Sequence, residues 1–113
     1  MQLQTPGGVI DIPDAEPSRP HPDAMLGLAT ETLRLKPLNG YRHPAEEGSS
    51  GWYIWGGENA SEAANFFSAI PVKHVSDYVA GIVALLNLPP GYRFRIDSVG
   101  HTDVWFDASL LDV

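Results

Sequence analysis

The sequence predicts an α+β domain: a small antiparallel β-sheet with one main amphipathic helix packed on a face. Three observations lead there. In HVSDYVAGIVALLNL, residues 74–88, apolar side chains from Val75 to Leu86 recur at three- and four-residue intervals, the spacing of one helical face. In YRFRID, Tyr92, Phe94 and Ile96 alternate with Arg93, Arg95 and Asp97, the period of a half-buried strand. DVWFD, residues 103–107, alternates again after a short turn at Gly100-His101, so the two runs read as a hairpin.

The remaining elements follow in chain order. Residues 1–23 hold five of the ten prolines and form a Pro-rich N-terminal arm in which a regular helix has no place. Within it only GVIDI, 8–12, alternates enough for a short edge strand. Residues 24–113 form the single domain. DAMLGLATETLRL predicts a modest helix with Asp23 as N-cap and Pro37 setting its end. KPLNGYRHPAEEGSSG is loop by composition, with turn signals at Asn39-Gly40 and at 48–51. WYIW, 52–55, is the third strand. ENASEAANFF suits one or two helical turns, and SAIPV crosses in extended form. Pro89-Pro90-Gly91 stops the main helix at 74–86, and Asp107 caps a last turn over ASLLDV.

Along the WYIW strand Trp52 and Ile54 point to one face of the sheet, Tyr53 and Trp55 to the other. One helix covers one face. Either the N-terminal arm and the 37–50 segment cover the second, or part of its aromatic surface stays open.

Composition narrows the function classes. Fourteen acidic against seven basic residues give a formal net charge of −7, which argues against nucleic acid or an anionic membrane and favours a basic protein partner. The absence of cysteine removes disulfides, thiolate catalysis and cysteine-ligated zinc. No apolar run reaches the roughly 20 residues that span a bilayer, and the start of the chain has neither a basic nor an apolar leader segment, so a cytoplasmic protein is expected. No G-x-S-x-G, G-x-G-x-x-G or Walker pattern occurs, and no cofactor is expected. The four histidines are dispersed; a metal would need His74, His101 and Asp103 to converge. Asp103 and Asp107, four apart on a strand, stand about 13 Å from one another, too far for a close acid/base dyad. Asp97 could approach Asp103, with Arg93 or Arg95 neutralising both.

Five ordered blocks, LKPLNGYRHP (35–44), SGWYIWGGE (50–58), VKHV (72–75), LPPGYRF (88–94) and DVWFDASLL (103–111), together resemble a small bacterial domain, immunity protein family thirty-three and its relatives. The resemblance covers residues 33–111 and leaves out the first thirty. It implies a non-enzymatic protein that protects its producer by binding a cognate toxin. On that reading Trp55, Glu58, Asp103, Trp105 and Asp107 are the candidate partner-binding residues, because a strand and its hairpin could present them on one acidic and aromatic face. Exposed aromatics could equally close a homodimer. The alternative is a small ligand-binding or regulatory module with an aromatic pocket lined by Trp52 or Trp55 and Tyr92.

Overall fold

The computed structural model describes residues 1–61 and 63–112. Its first two strands, β1 (Gln2–Thr5) and β2 (Gly8–Asp11), form a separate antiparallel hairpin. Six more follow: β3 (Met25–Leu28), β4 (Leu38–Arg42), β5 (Ser49–Gly56), β6 (Ser68–Pro71), β7 (Tyr92–Ile96) and β8 (Thr102–Phe106). They make one sheet in the order β6-β3-β5-β4-β7-β8, antiparallel throughout except that β3 runs parallel to β5.

This overturns the α+β expectation. The described residues contain no α-helix, only 3₁₀ turns. Residues 74–86, expected as the main helix, are divided between two such turns, Val72–Asp77 and Val83–Asn87, and the non-helical stretch 78–82. Between them Gly81 takes φ +81°, a left-handed conformation that an α-helix does not contain. The apolar spacing recorded burial rather than helix: Val75, Ile82, Leu85 and Leu86 are buried, whereas Tyr78 and Val83 are about half exposed.

The helix expected after Asp23 is also absent. MLGL alternates as β3 instead, with Leu26 and Leu28 buried and Gly27 lying under the ring of Tyr53. Asp23 caps nothing there; its carboxylate meets Lys73 Nζ at 2.8 Å. ENASEAANFF forms no helix among its described residues; Glu62 lies outside them. The sheet is therefore mixed, and WYIW does not adjoin YRFRID. Between them lies β4, expected as loop. Its Asn39-Gly40 is no turn: Gly40 sits beneath the Phe94 ring, which occupies the space a Cβ would need, and the Asn39 amide donates to the carbonyls of Gly57 (2.7 Å) and Pro37 (3.2 Å). The β7–β8 hairpin, the extended SAIPV segment and the short GVID strand form as expected, and Asp107 caps the final 3₁₀ turn by accepting from Ser109 N–H.

The core lies on one face of the sheet. Leu26, Leu28, Trp52, Ile54, Phe94 and Ile96 point from the strands toward Val75, Ile82, Leu85, Leu86 and Leu88, with Leu3 of β1 added from the side. At one end of this core Arg42 is buried, with 3 % of its surface exposed. Its Nε donates to the Ser50 carbonyl at 2.9 Å, and Nη1 donates to those of Ser18 (2.6 Å), Leu86 (3.2 Å) and Leu88 (2.8 Å). The guanidinium thereby ties β4 to β5, to the Pro-rich segment and to the second 3₁₀ turn. It also lies 5.8 Å from the Trp52 ring, whose Nε1 donates to the same Leu86 carbonyl. Burial away from water lowers the Arg42 pKa from its ordinary value.

Candidate functional site

The opposite face of the sheet carries the candidate site. Strand pairing sets one row of side chains across four strands: Tyr53 of β5 opposite Tyr41 of β4, Tyr41 opposite Arg93 of β7, and Arg93 opposite Trp105 of β8. Directly opposite residues on one sheet face are close enough to interact, and these do. The two tyrosine rings are 5.6 Å apart. The Arg93 guanidinium sits between two aromatic faces, 5.5 Å from the Tyr41 ring and 5.7 Å from the Trp105 ring. Its Nη1 also meets Asp107 Oδ2 at 3.0 Å.

A second row runs beside the first. Trp55 is opposite Asn39, Asn39 opposite Arg95, and Arg95 opposite Asp103. Arg95 reaches Glu58 at 3.2 Å, and Asp103 accepts a contact from His101 Nε2 at 3.1 Å. His43 closes the other side of the face, with its ring centroid 5.1 Å from that of Tyr41 in an edge-on arrangement and its Nδ1 at 2.9 Å from the Leu110 carbonyl.

Exposure divides this face. Trp55 is 5 % exposed, packed against Tyr41 and against Phe67 of the segment before β6, and its Nε1 has no acceptor among the described residues. Trp105 is 42 % exposed. Trp55 is thus flanked by Tyr41, from the 37–50 segment, and by Phe67, from outside it. The centre of the face, from Tyr53 to Trp105, stays open to partial exposure.

All five candidate partner-binding residues lie on or beside this face. Trp55, Asp103 and Trp105 point from it, Asp107 follows at the end of β8, and Glu58 reaches it through Arg95. Asp97 does not join Asp103. Its carboxylate accepts from the N–H groups of Val99 and His101 and so holds the hairpin turn. Arg93 and Arg95 serve Asp107 and Glu58 instead.

Tyr41, His43 and the stacked position of Arg93 were missed because residues 36–51 were expected to be loop; Tyr53 was placed on this face by the alternation of WYIW. The signal was present: Asn39, Tyr41 and His43 alternate with Leu38, Gly40 and Arg42 across LNGYRH.

Two pKa shifts belong to the face. Hydrogen bonds from Ser109 and Arg93 hold the Asp107 carboxyl below the ordinary carboxylate value, so it is ionised at neutral pH. Burial raises the Tyr41 hydroxyl, the Tyr53 hydroxyl adds to the rise, and Arg93 partly opposes it. Tyr41 therefore remains a neutral donor.

The face holds no cluster of metal ligands. Among the described residues no three His, Asp or Glu side chains converge; His74 pairs with Asp77 at 3.6 Å, and His101 with Asp103. The largest cleft described, about 460 Å³, lies elsewhere, between residues 18–24 and 42–50. No helix of the described residues is long and apolar enough to cross a membrane.

No curated protein and no solved structure matches the chain. The match to the family model of the Imm33-like domain begins at Gly8, inside the Pro-rich arm and well before the blocks at 33–111 that carry the resemblance. This match spans residues 8–107, most of the chain, and the protein belongs to the Imm33-like domain family.

Proposed function

We propose that the protein is a non-enzymatic immunity protein that binds a cognate bacterial toxin and neutralises it by covering a surface the toxin needs. Family membership supports an immunity role. The observation that carries the toxin-binding reading is the open row Tyr53, Tyr41, Arg93 and Trp105, a rigid aromatic and guanidinium surface on sheet strands, flanked by Glu58, Asp103 and Asp107. Tyr, Trp and Arg are the side chains that most often dominate binding energy at protein interfaces. They are held in place before binding, so little side-chain entropy remains to be lost.

The charge of the chain sets the partner's character. A net charge of −7 steers a basic toxin surface toward the protein and repels nucleic acid and anionic membrane. The toxin is met in the cytoplasm of the producing cell.

The aromatic-pocket alternative has less support. Trp52 is wholly buried in the core, and none of the five clefts described is lined by Trp52, Trp55 or Tyr92.

The test mixes the purified protein with the product of any toxin-like gene encoded beside it. A stoichiometric complex that abolishes the toxin's activity is expected. A folded protein that leaves an active toxin domain unbound would contradict the reading.

A further inference from the structure

β8 is an edge strand, and its pairing shows which of its main-chain groups are free. Asp107 N–H donates to Gly91 C=O, and Asp97 N–H donates to His101 C=O. These two bonds fix the alternation of the β7–β8 ladder: Asp103 and Trp105 exchange hydrogen bonds with β7, while the N–H and C=O groups of Thr102, Val104 and Phe106 point away from the sheet. No described group outside the sheet bonds to these three residues.

Edge strands of this kind are usually blunted by proline, lysine or a bulge. β8 has none: five consecutive residues pair with β7 without a register shift. Besides the charged Asp103, its exposed side chains are large and apolar, with Trp105 42 % exposed on one face and Phe106 51 % on the other. β6, at the other edge, ends in Pro71 and exposes no aromatic side chain of its own.

We propose that the protein forms a two-fold dimer in which β8 pairs antiparallel with β8 of a second copy, joining the two sheets into one. The strand is complementary to itself in the register centred on Val104, which pairs all five of its residues. Val104 then lies opposite the partner's Val104, and Thr102 opposite the partner's Phe106, so every free N–H and C=O finds a partner. On the open face Asp103 meets the partner's Trp105. Beyond the strand ends His101 comes opposite the partner's Asp107. No two like charges face each other, which matters because the net charge of each copy opposes unspecific association. The two Trp105 side chains are brought near the dimer axis, and the open faces of the two copies become continuous.

The assignment does not depend on the toxin reading, and its test contains no toxin. Sedimentation of the wild-type protein across the micromolar range is compared with that of Val104→Pro. The Val104 N–H points outward, so proline removes dimer bonds without removing a bond to β7. The wild type is expected to sediment at twice the 12.3 kDa chain mass. The variant's dimer should be weaker by about thirtyfold, the loss expected for two symmetry-related main-chain hydrogen bonds.

Because the chain has no cysteine, Val104→Cys supplies a second readout that does not require proline to be tolerated. Facing residues of a hydrogen-bonded pair lie about 5.5 Å apart at Cα, within disulfide reach. Mild oxidation should convert this variant to a covalent dimer, while Val9→Cys on exposed β2 should stay monomeric. A monomeric wild type would overturn the proposal, including one that pairs only when toxin is added. So would a dimer that Val104→Pro leaves intact and Val104→Cys does not cross-link.

Discussion

Two arginines, placed on neighbouring strands but on opposite faces of the sheet, show how one scaffold serves stability on one side and recognition on the other. Arg42 is sealed in the core with 3 % exposure, accepted by four backbone carbonyls and stacked near Trp52. Arg93 stands between Tyr41 and Trp105, with about 30 % of its side chain open to water, held by the carboxylate of Asp107. The chemistry of the side chain is the same. Its surroundings decide whether its hydrogen bonds are spent inside the molecule or its aromatic stack is left for a partner.

The comparison breaks first if the core arginine can be lost cheaply. Arg42→Met should destabilise the protein by about 3 kcal/mol or more, because several buried carbonyls lose their donor at about 1–3 kcal/mol each. Trp52→Ala should cost about 3–5 kcal/mol through the cavity it leaves. Urea denaturation measures both; a loss below about 1 kcal/mol for either would mean the core face is not what holds the sheet together. Gly40→Ala comes next, since its methyl group would displace the Phe94 ring, with an expected cost of about 1–3 kcal/mol.

On the open face the expected stability effects are smaller. Arg93→Ala removes one partly exposed ion pair and two aromatic contacts, and should cost about 1 kcal/mol. Asp107→Asn sharpens the same contrast through pH. The folded-state pKa of Asp107 lies below its unfolded value, so its contribution is complete above the ordinary carboxylate range and disappears as pH falls through the folded value. Acid titration of stability should therefore be shallower for Asp107→Asn than for the wild type below about pH 4, and the two curves should run parallel near neutrality.

Much of the open face was legible in the sequence. The alternation in YRFRID and DVWFD gave the hairpin, and the period-two reading of WYIW separated Trp52 and Ile54 from Tyr53 and Trp55 correctly. What misled was apolar spacing in 74–88. A chain that packs successive 3₁₀ turns against a sheet buries residues at intervals of three to four, much as a helix does. Gly81, and the β-branched Val75, Val79, Ile82 and Val83, were the local signals against an α-helix. β4 was hidden by its own composition. Asn39-Gly40 carries a turn signature, but here the glycine makes room for Phe94 and the asparagine ties down carbonyls of neighbouring segments. Such uses depend on residues more than fifty positions away for Gly40, and no local pattern contains them.

The central claim is that the row ending in Trp105 binds the toxin while the row under Trp52 holds the fold. Its most direct test is the dissociation rate of Trp105→Ala from the cognate toxin domain, with the melting temperature of the free variant measured alongside. An off-rate raised by about thirtyfold or more, with a melting temperature near that of the wild type, is the expected result for an anchor worth at least about 2 kcal/mol. An unchanged off-rate in a variant that melts like the wild type would contradict the account and remove this face from the interface.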